Sequence, residues 1–148
     1  MVIALLLVFC GSMLAGAVQT DFGNVKVSDL RIQTSQGAVL SGLLFVPNGV
    51  SAENPAPAVV TTEGYLNSRE MQTSFSIEFA RRGYVVFNID MFGHGRSGTE
   101  ATDIQAVIPA VQYLESLDYV DSTNIGVEGH SKGGLASTIA AVDLPGSE

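Results

Sequence analysis

Five residues near the end of the chain, Gly129-His130-Ser131-Lys132-Gly133, constrain its fold more than any other stretch. They follow a short β-prone run, Asn124-Ile-Gly-Val-Glu128, which is entered from the turn-forming Asp121-Ser-Thr-Asn124. After them comes Leu135-Ala-Ser-Thr-Ile-Ala-Ala-Val142, a helical stretch of small residues able to pack tightly on a sheet. Gly-x-Ser-x-Gly between a brief buried strand and a helix describes a sharp turn that lifts a serine hydroxyl above the sheet edge. The flanking glycines have a steric reason, because such a turn demands close backbone approach and unusual φ/ψ. A helix N-terminus beneath the serine favours developing negative charge. On this reading Ser131 is an attacking nucleophile. The structural alternative is an ordinary Gly/Ser-rich loop.

Upstream, strand and helix signals alternate. Residues 19–24 read as a linker. Residues 25–34 alternate apolar and polar, like a strand with one wet face. Ser35-Gln36-Gly37 is a turn, and residues 39–46 return as a second strand, predicting an antiparallel hairpin. A loop over residues 47–57 leads to Ala58-Val-Val-Thr-Thr62, β-prone throughout and suited to burial on both faces. Residues 67–82 read as a helix capped by Asn67 or Ser68, striped by Met71, Phe75 and Phe79, and ended by Gly83. Residues 84–90 form another buried strand. Ile104, Val107, Ile108, Val111, Leu114 and Leu117 then mark a second amphipathic helix, which Pro109 should kink or delay. Such alternation predicts a parallel sheet with helices on its faces.

The chain has 148 residues and a formal net charge of −8, with no basic stripe to neutralise phosphates, so a nucleic-acid partner is not expected. Its tight basic pair, Arg81-Arg82, falls where the last turn of a helix favours cations. Residues 1–20 contain no charged side chain, and Val2-Ile-Ala-Leu-Leu-Leu-Val-Phe9 is continuously apolar. About 20 such residues suffice to span a bilayer. A retained anchor and a cleaved signal peptide both fit, the latter through Ala15-Gly16-Ala17. Either places the remainder, residues 21–148, outside the cytoplasm, membrane-anchored or secreted; a buried core helix is the third option. Cys10 is the sole cysteine, which rules out a disulfide framework. Phe9 before it is not the small residue that a lipoprotein signal needs. No His, Asp or Glu set has metal-ligand spacing, so neither metal nor cofactor is expected.

From about residue 25 to residue 142 the chain resembles the N-terminal half of an α/β-hydrolase of the serine-aminopeptidase, lysophospholipase or dienelactone-hydrolase-like type. Four pieces carry the resemblance in order: the leading hairpin, Glu63-Gly64-Tyr65 after the third strand, Asp90-Met-Phe-Gly-His-Gly-Arg-Ser97 after the fourth, and Gly129-His-Ser-Lys-Gly-Gly134 after the fifth. The run over residues 63–82, with Asn67-Ser-Arg-Glu-Met71, is similar to membrane-anchored bacterial members. The resemblance implies a three-layer αβα fold in which a leading β-hairpin precedes the parallel strands. It implies a serine hydrolase acting on a small-molecule or peptide ester, thioester or amide through an acyl-enzyme on Ser131.

The N–H of Lys132, just after the nucleophile, is one expected oxyanion donor. By resemblance the other is the N–H of Tyr65. The histidine base and its carboxylate partner come later in the family's chain order, so the sequence is expected to be the N-terminal portion of a longer protein and inactive alone. Where the family has His-Gly, this chain has Glu63-Gly64, and Glu63 must turn away or find a partner. His130, adjacent to the serine, is expected to pack or hydrogen-bond, not to act as base. His94 is expected to be structural, Asp90 to fix its loop, and the Lys132 ammonium to be solvated. Two other classes remain: a non-catalytic binding or sensor module on the same fold, and a dinucleotide-binding oxidoreductase using Gly93-His-Gly-Arg-Ser-Gly98. The latter fits poorly, since Met91 and Phe92 separate the strand from the first glycine.

Overall fold

The computed structural model describes residues 1–144. Two strands open the domain: β1 (Val25–Gln33) and β2 (Val39–Pro47) run antiparallel, with Val25 opposite Pro47 and Gln33 opposite Val39. The chain continues through β3 (Ala56–Thr62), a 3₁₀ turn (Arg69–Gln72) leading into a helix (Thr73–Arg81), and β4 (Val85–Asp90). A helix (Val107–Glu115), β5 (Val120–Gly129) and a last helix (Lys132–Asp143) complete the described part. Counting the N-terminal helix Val2–Gln19 as α1, these three helices are α2, α3 and α4. The sheet order is β1-β2-β4-β3-β5, antiparallel through β2/β4 and parallel across β4, β3 and β5.

The sheet separates two apolar layers. On one face Val60, Phe87, Ile89, Val107, Leu114, Ala136 and Ala140 pack together, which brings α3 and α4 onto the sheet. On the other, Val25, Phe45, Val86, Ile77 and Ala80 seat α2. The result is the expected αβα sandwich. β4, buried at every residue, reads in sequence as a continuous run because helices cover both of its faces. Pro109 lies in the first turn of α3, where its missing N–H removes no helical bond. The apolar pattern begins at Ile104, but the α-helix begins at Val107; the delay follows a 3₁₀ turn over Asp103–Gln105.

Three sequence expectations change. The Met71/Phe75/Phe79 stripe is only partly the buried side: Phe79 packs against the core, but Met71 is 58% and Phe75 56% exposed. The buried face is Gln72, Ser76, Ile77 and Ala80. Polar groups there find partners in the sheet, with Ser76 Oγ 3.0 Å from Thr61 Oγ1 and Gln72 Nε2 donating to Thr62 O at 2.7 Å. β5 is longer than predicted and half-exposed, being the edge of the described sheet. Residues 19–24 are not a loose linker. Val25 N–H donates to Thr20 O (3.0 Å), Asn48 N–H to Asn24 O (2.8 Å), and the Arg81 guanidinium to Asp21 Oδ1 (2.8 Å). α1 itself buries no residue and has a mean hydropathy of 2.2 over 18 residues.

Candidate active site

β5 ends at Gly129 and α4 begins at Lys132, leaving two residues for the whole reversal. Ser131 takes φ 55° and ψ −112°, a conformation costly for a residue with a side chain. Packing against β3 holds it there. His130 N–H donates to Thr62 O (3.1 Å), Gly133 N–H to His130 O (2.9 Å) and Leu135 N–H to Ser131 O (3.3 Å). The glycines are required by contact. A Cβ on Gly133 would overlap Thr62 Oγ1 and lie 2.5 Å from Glu63 O, and one on Gly129 would overlap the Gly133 carbonyl. Ser131 is exposed, as a strand-to-helix turn of this kind should leave it.

The turn after β3 lies directly against this elbow. A Cβ on Gly64 would sit 3.4 Å from Ser131 Cβ and 3.2 Å from His130 Cδ2, so glycine there lets the two turns meet. Asn67 N–H closes the turn on Gly64 O at 3.2 Å, with Leu66 at φ 56°. Tyr65 points outward, 61% exposed, and the Lys132 ammonium stands 4.8 Å from its ring centroid. Lys132 is therefore not simply solvated: it also forms an ion pair with Asp103, the first residue of the 3₁₀ turn before α3. Burial pushes the Asp103 carboxyl up, but the Lys132 bond, the Ile104 N–H and the charges of Lys132 and His94 together hold it below its ordinary range.

Glu63, fully buried, has found partners. Its Oε1 accepts from Met91 N–H (2.8 Å) and lies 2.9 Å from His94 Nδ1, both in the segment after β4, while its Oε2 is buried without a hydrogen-bond partner. Burial pushes the Glu63 carboxyl above its ordinary range, and the bonds from its own and the Met91 backbone and from His94 offset only part of that. His94 is thus structural, and its ring meets Tyr65 edge-on at 6.2 Å. Asp90 fixes its loop as expected. Its carboxylate accepts from Arg69 N–H (2.9 Å) and Arg96 N–H (3.1 Å), and its carbonyl from Ser97 Oγ (2.6 Å). Arg69, only 3% exposed, completes the frame with a forked bond to Asp29 (3.0 and 3.1 Å) and one to Ser41 Oγ (3.2 Å).

Ser131, Gly129, Gly133, Tyr65 and Lys132 are therefore brought together. His130 is exposed, its ring resting near Gly64 and its backbone, not its imidazole, making the hydrogen bonds. No hydrogen bond reaches Ser131 Oγ from any described side chain. Among the described residues no three His, Cys, Asp or Glu side chains gather as a metal-binding group. Asp103 and Arg69 carry no local signal in the sequence. The partners named above lie 21 to 40 positions away, and only the folded sheet brings them close.

The profile of the X-Pro dipeptidyl-peptidase (S15) family matches residues 36–147, from the β1–β2 turn through the elbow helix. The chain belongs to the S15 family. Solved structures agree on the α/β-hydrolase fold. This S15 chain is 24% identical to a hypothetical protein from Pseudomonas aeruginosa, with a TM-score of 0.72 over 81% of this chain and 40% of that one. It is 25% identical to an esterase from Pyrococcus furiosus (TM-score 0.66; 81% of this chain, 48% of that one). Against a bacterial heroin esterase the identity is 22% and the TM-score 0.67, over 90% of this chain and 44% of the other. The chain thus spans less than half the length of the structures it matches.

Proposed function

We propose that this S15-family chain supplies the nucleophile and oxyanion donors of a serine hydrolase that cleaves an ester, thioester or amide. Ser131 Oγ attacks the substrate carbonyl carbon, and its proton passes to a histidine contributed from outside residues 1–148. The carbonyl π electrons move onto oxygen, which the N–H groups of Tyr65 and Lys132 receive. Collapse breaks the bond to the leaving group, which takes the proton from the histidine. Water then repeats the sequence, releasing the acid and restoring the Ser131 hydroxyl. A carboxylate, also from outside these residues, orients the histidine.

The observation that carries this reading is Ser131 itself, exposed and held at φ 55° where β5 turns into α4. Strained residues cluster at active sites, and Ser131, unlike Asp21, Phe22 and Leu66, which also have positive φ, sits where a strand turns directly into a helix. The family description names a peptidase and two of the matched structures are esterases, so the acyl class is kept broad. Neither histidine of residues 1–148 serves as the base: His94 Nδ1 is committed to Glu63, and His130 faces solvent beside Gly64. Residues 1–148 alone are therefore expected to be inactive. In this reading the apolar α1 is a membrane anchor or a removed export signal, and the hydrolase works outside the cytoplasm.

Turnover of p-nitrophenyl acetate by the full-length protein tests the reading. Ser131→Ala should lower kcat by at least about a thousandfold, while activity retained in that variant removes Ser131 from the chemistry.

A further inference from the structure

α1 enters the domain through a braced corner, not a flexible tether. Only residues 20–24 separate it from β1, and hydrogen bonds close them into a compact turn. Gly23 N–H donates to Thr20 O, Asn24 N–H to Asp21 O and Val25 N–H to Thr20 O, each at 3.0 Å. Asp21 and Phe22 take φ 48° and 55°, a bend costly for residues with side chains. The body holds that bend in place. Asn48 gives its N–H to Asn24 O (2.8 Å) and its side-chain amide to Gly23 O (3.0 Å), and the Arg81 guanidinium at the end of α2 donates to Asp21 Oδ1 (2.8 Å). α1 itself carries no charged side chain and buries none of its residues against the domain.

The strand register shows where this corner lies relative to the elbow. Phe45 is level with Val86, Val59 and Gly126 across the sheet. Two residues beyond that rung, β2 reaches Pro47, the partner of Val25. Three residues from it in the opposite direction, β5 reaches Gly129 and the elbow. β1 and β5 are also the opposite edges of the described sheet. At about 3.3 Å per residue and about 4.8 Å per strand, Val25 and Gly129 stand at diagonal corners on the order of 25 Å apart.

We propose that α1 is a retained strut that holds the Ser131 end of the sheet away from the bilayer, so that the acyl substrate comes from the aqueous phase and not from the surrounding lipid. The proposal rests on the anchor and nucleophile readings above and deepens them. At 1.5 Å per residue the helix is about 27 Å long, close to the thickness of a hydrocarbon core, which puts the braced turn at the lipid headgroups. A flexible tether would let the domain roll until the elbow met the surface. A turn bonded to β1, to the residue after β2 and to the end of α2 does not allow that. The ester carbonyls of membrane lipids lie at the interface, beside the anchored corner and out of reach of the Ser131 hydroxyl.

The test labels Ser131 of the full-length protein with a dye-bearing fluorophosphonate and reconstitutes the adduct into phosphatidylcholine vesicles. Lipids carrying a nitroxide on the headgroup act as a short-range quencher. The adduct should lose no fluorescence when they are included. An insert of about 20 Gly/Ser residues between Thr20 and Asp21, whose coil spans about 25 Å, should free the domain to roll and produce quenching. Unlabelled protein in the same vesicles should turn over p-nitrophenyl acetate and release no fatty acid from the phosphatidylcholine. Quenching without the insert, or release of fatty acid, overturns the outward orientation and leaves the anchor and Ser131 standing. An adduct unquenched both with and without the insert overturns the braced corner as its cause. A mature protein whose N-terminus lies beyond α1 overturns the anchor reading and the strut with it. Labelling that survives Ser131→Ala overturns the serine reading instead.

Discussion

Glu63 Oε1 and His94 Nδ1 meet 2.9 Å apart inside the protein, and the same carboxylate oxygen accepts the Met91 N–H at 2.8 Å. The pair ties the end of β3 to the loop after β4, beneath the turn that carries Tyr65. It gives a carboxylate buried partners where the α/β-hydrolases resembled by this sequence carry histidine.

Replacing Glu63 by Ala leaves the Met91 N–H and the His94 ring without that acceptor. The full-length protein should lose about 2–3 kcal/mol of stability by denaturant unfolding. Glu63→Gln tests the charge alone. Burial holds the Glu63 pKa above its unfolded value, so its proton stabilises the fold. That contribution is complete below the ordinary glutamate range and is lost as pH rises through the raised folded value. Above the ordinary range, wild-type stability should therefore fall relative to Glu63→Gln until Glu63 is fully ionised. Parallel pH curves for the two proteins would contradict a buried, titrating Glu63.

Ser131→Gly should raise the unfolding free energy by about 1 kcal/mol while abolishing activity, since glycine tolerates φ 55° and ψ −112° without the side-chain penalty. Gly133→Ala should do the opposite. Its new Cβ would overlap Thr62 Oγ1, and stability should fall by at least about 2 kcal/mol. Equal stabilities across wild type and both variants would show that the elbow is neither strained nor close-packed.

Arg69 holds the turn after β3 to the β1–β2 hairpin through Asp29 and Ser41, and to the β4 loop through its backbone bond to Asp90. The guanidinium keeps the Asp29 carboxyl below its ordinary range. Arg69→Met keeps much of the volume and the backbone bond to Asp90 but removes the forked bond to Asp29, which is half-exposed and keeps Arg96. Thermal unfolding should show a loss of about 1 kcal/mol, and ester turnover should fall through the displaced Tyr65 turn. A variant with wild-type stability and turnover would remove Arg69 from the frame of the site.

The alternation of β-prone and amphipathic runs was enough to anticipate the hairpin, the parallel strands and the elbow, because each depends on residues near one another in sequence. Periodicity failed at α2. An apolar stripe shows that a helix has two faces, but the sheet beneath α2 offers Thr61 and the Thr62 carbonyl, which select the face bearing Ser76 and Gln72. Met71 and Phe75 instead border a recess of about 220 Å³ beside Glu128, Gly129 and His130. At the site, Ser131 and its glycines were legible from one pentapeptide. The partners of Lys132, Glu63 and Arg69 were not, since each lies across the fold.

Deleting residues 2–19 should move the full-length protein from the membrane pellet to the soluble fraction if α1 is a retained anchor. If α1 is an export signal, the mature N-terminus read by mass spectrometry should lie beyond it. A protein that keeps α1 and fractionates as soluble would contradict both roles.

Fluorophosphonate labelling of the full-length protein, followed by peptide mass mapping, asks whether Ser131 is the nucleophile. A single phosphonylated peptide should appear, with the adduct on Ser131, and be absent from Ser131→Ala. An adduct on another residue, or labelling undiminished in Ser131→Ala, would contradict it.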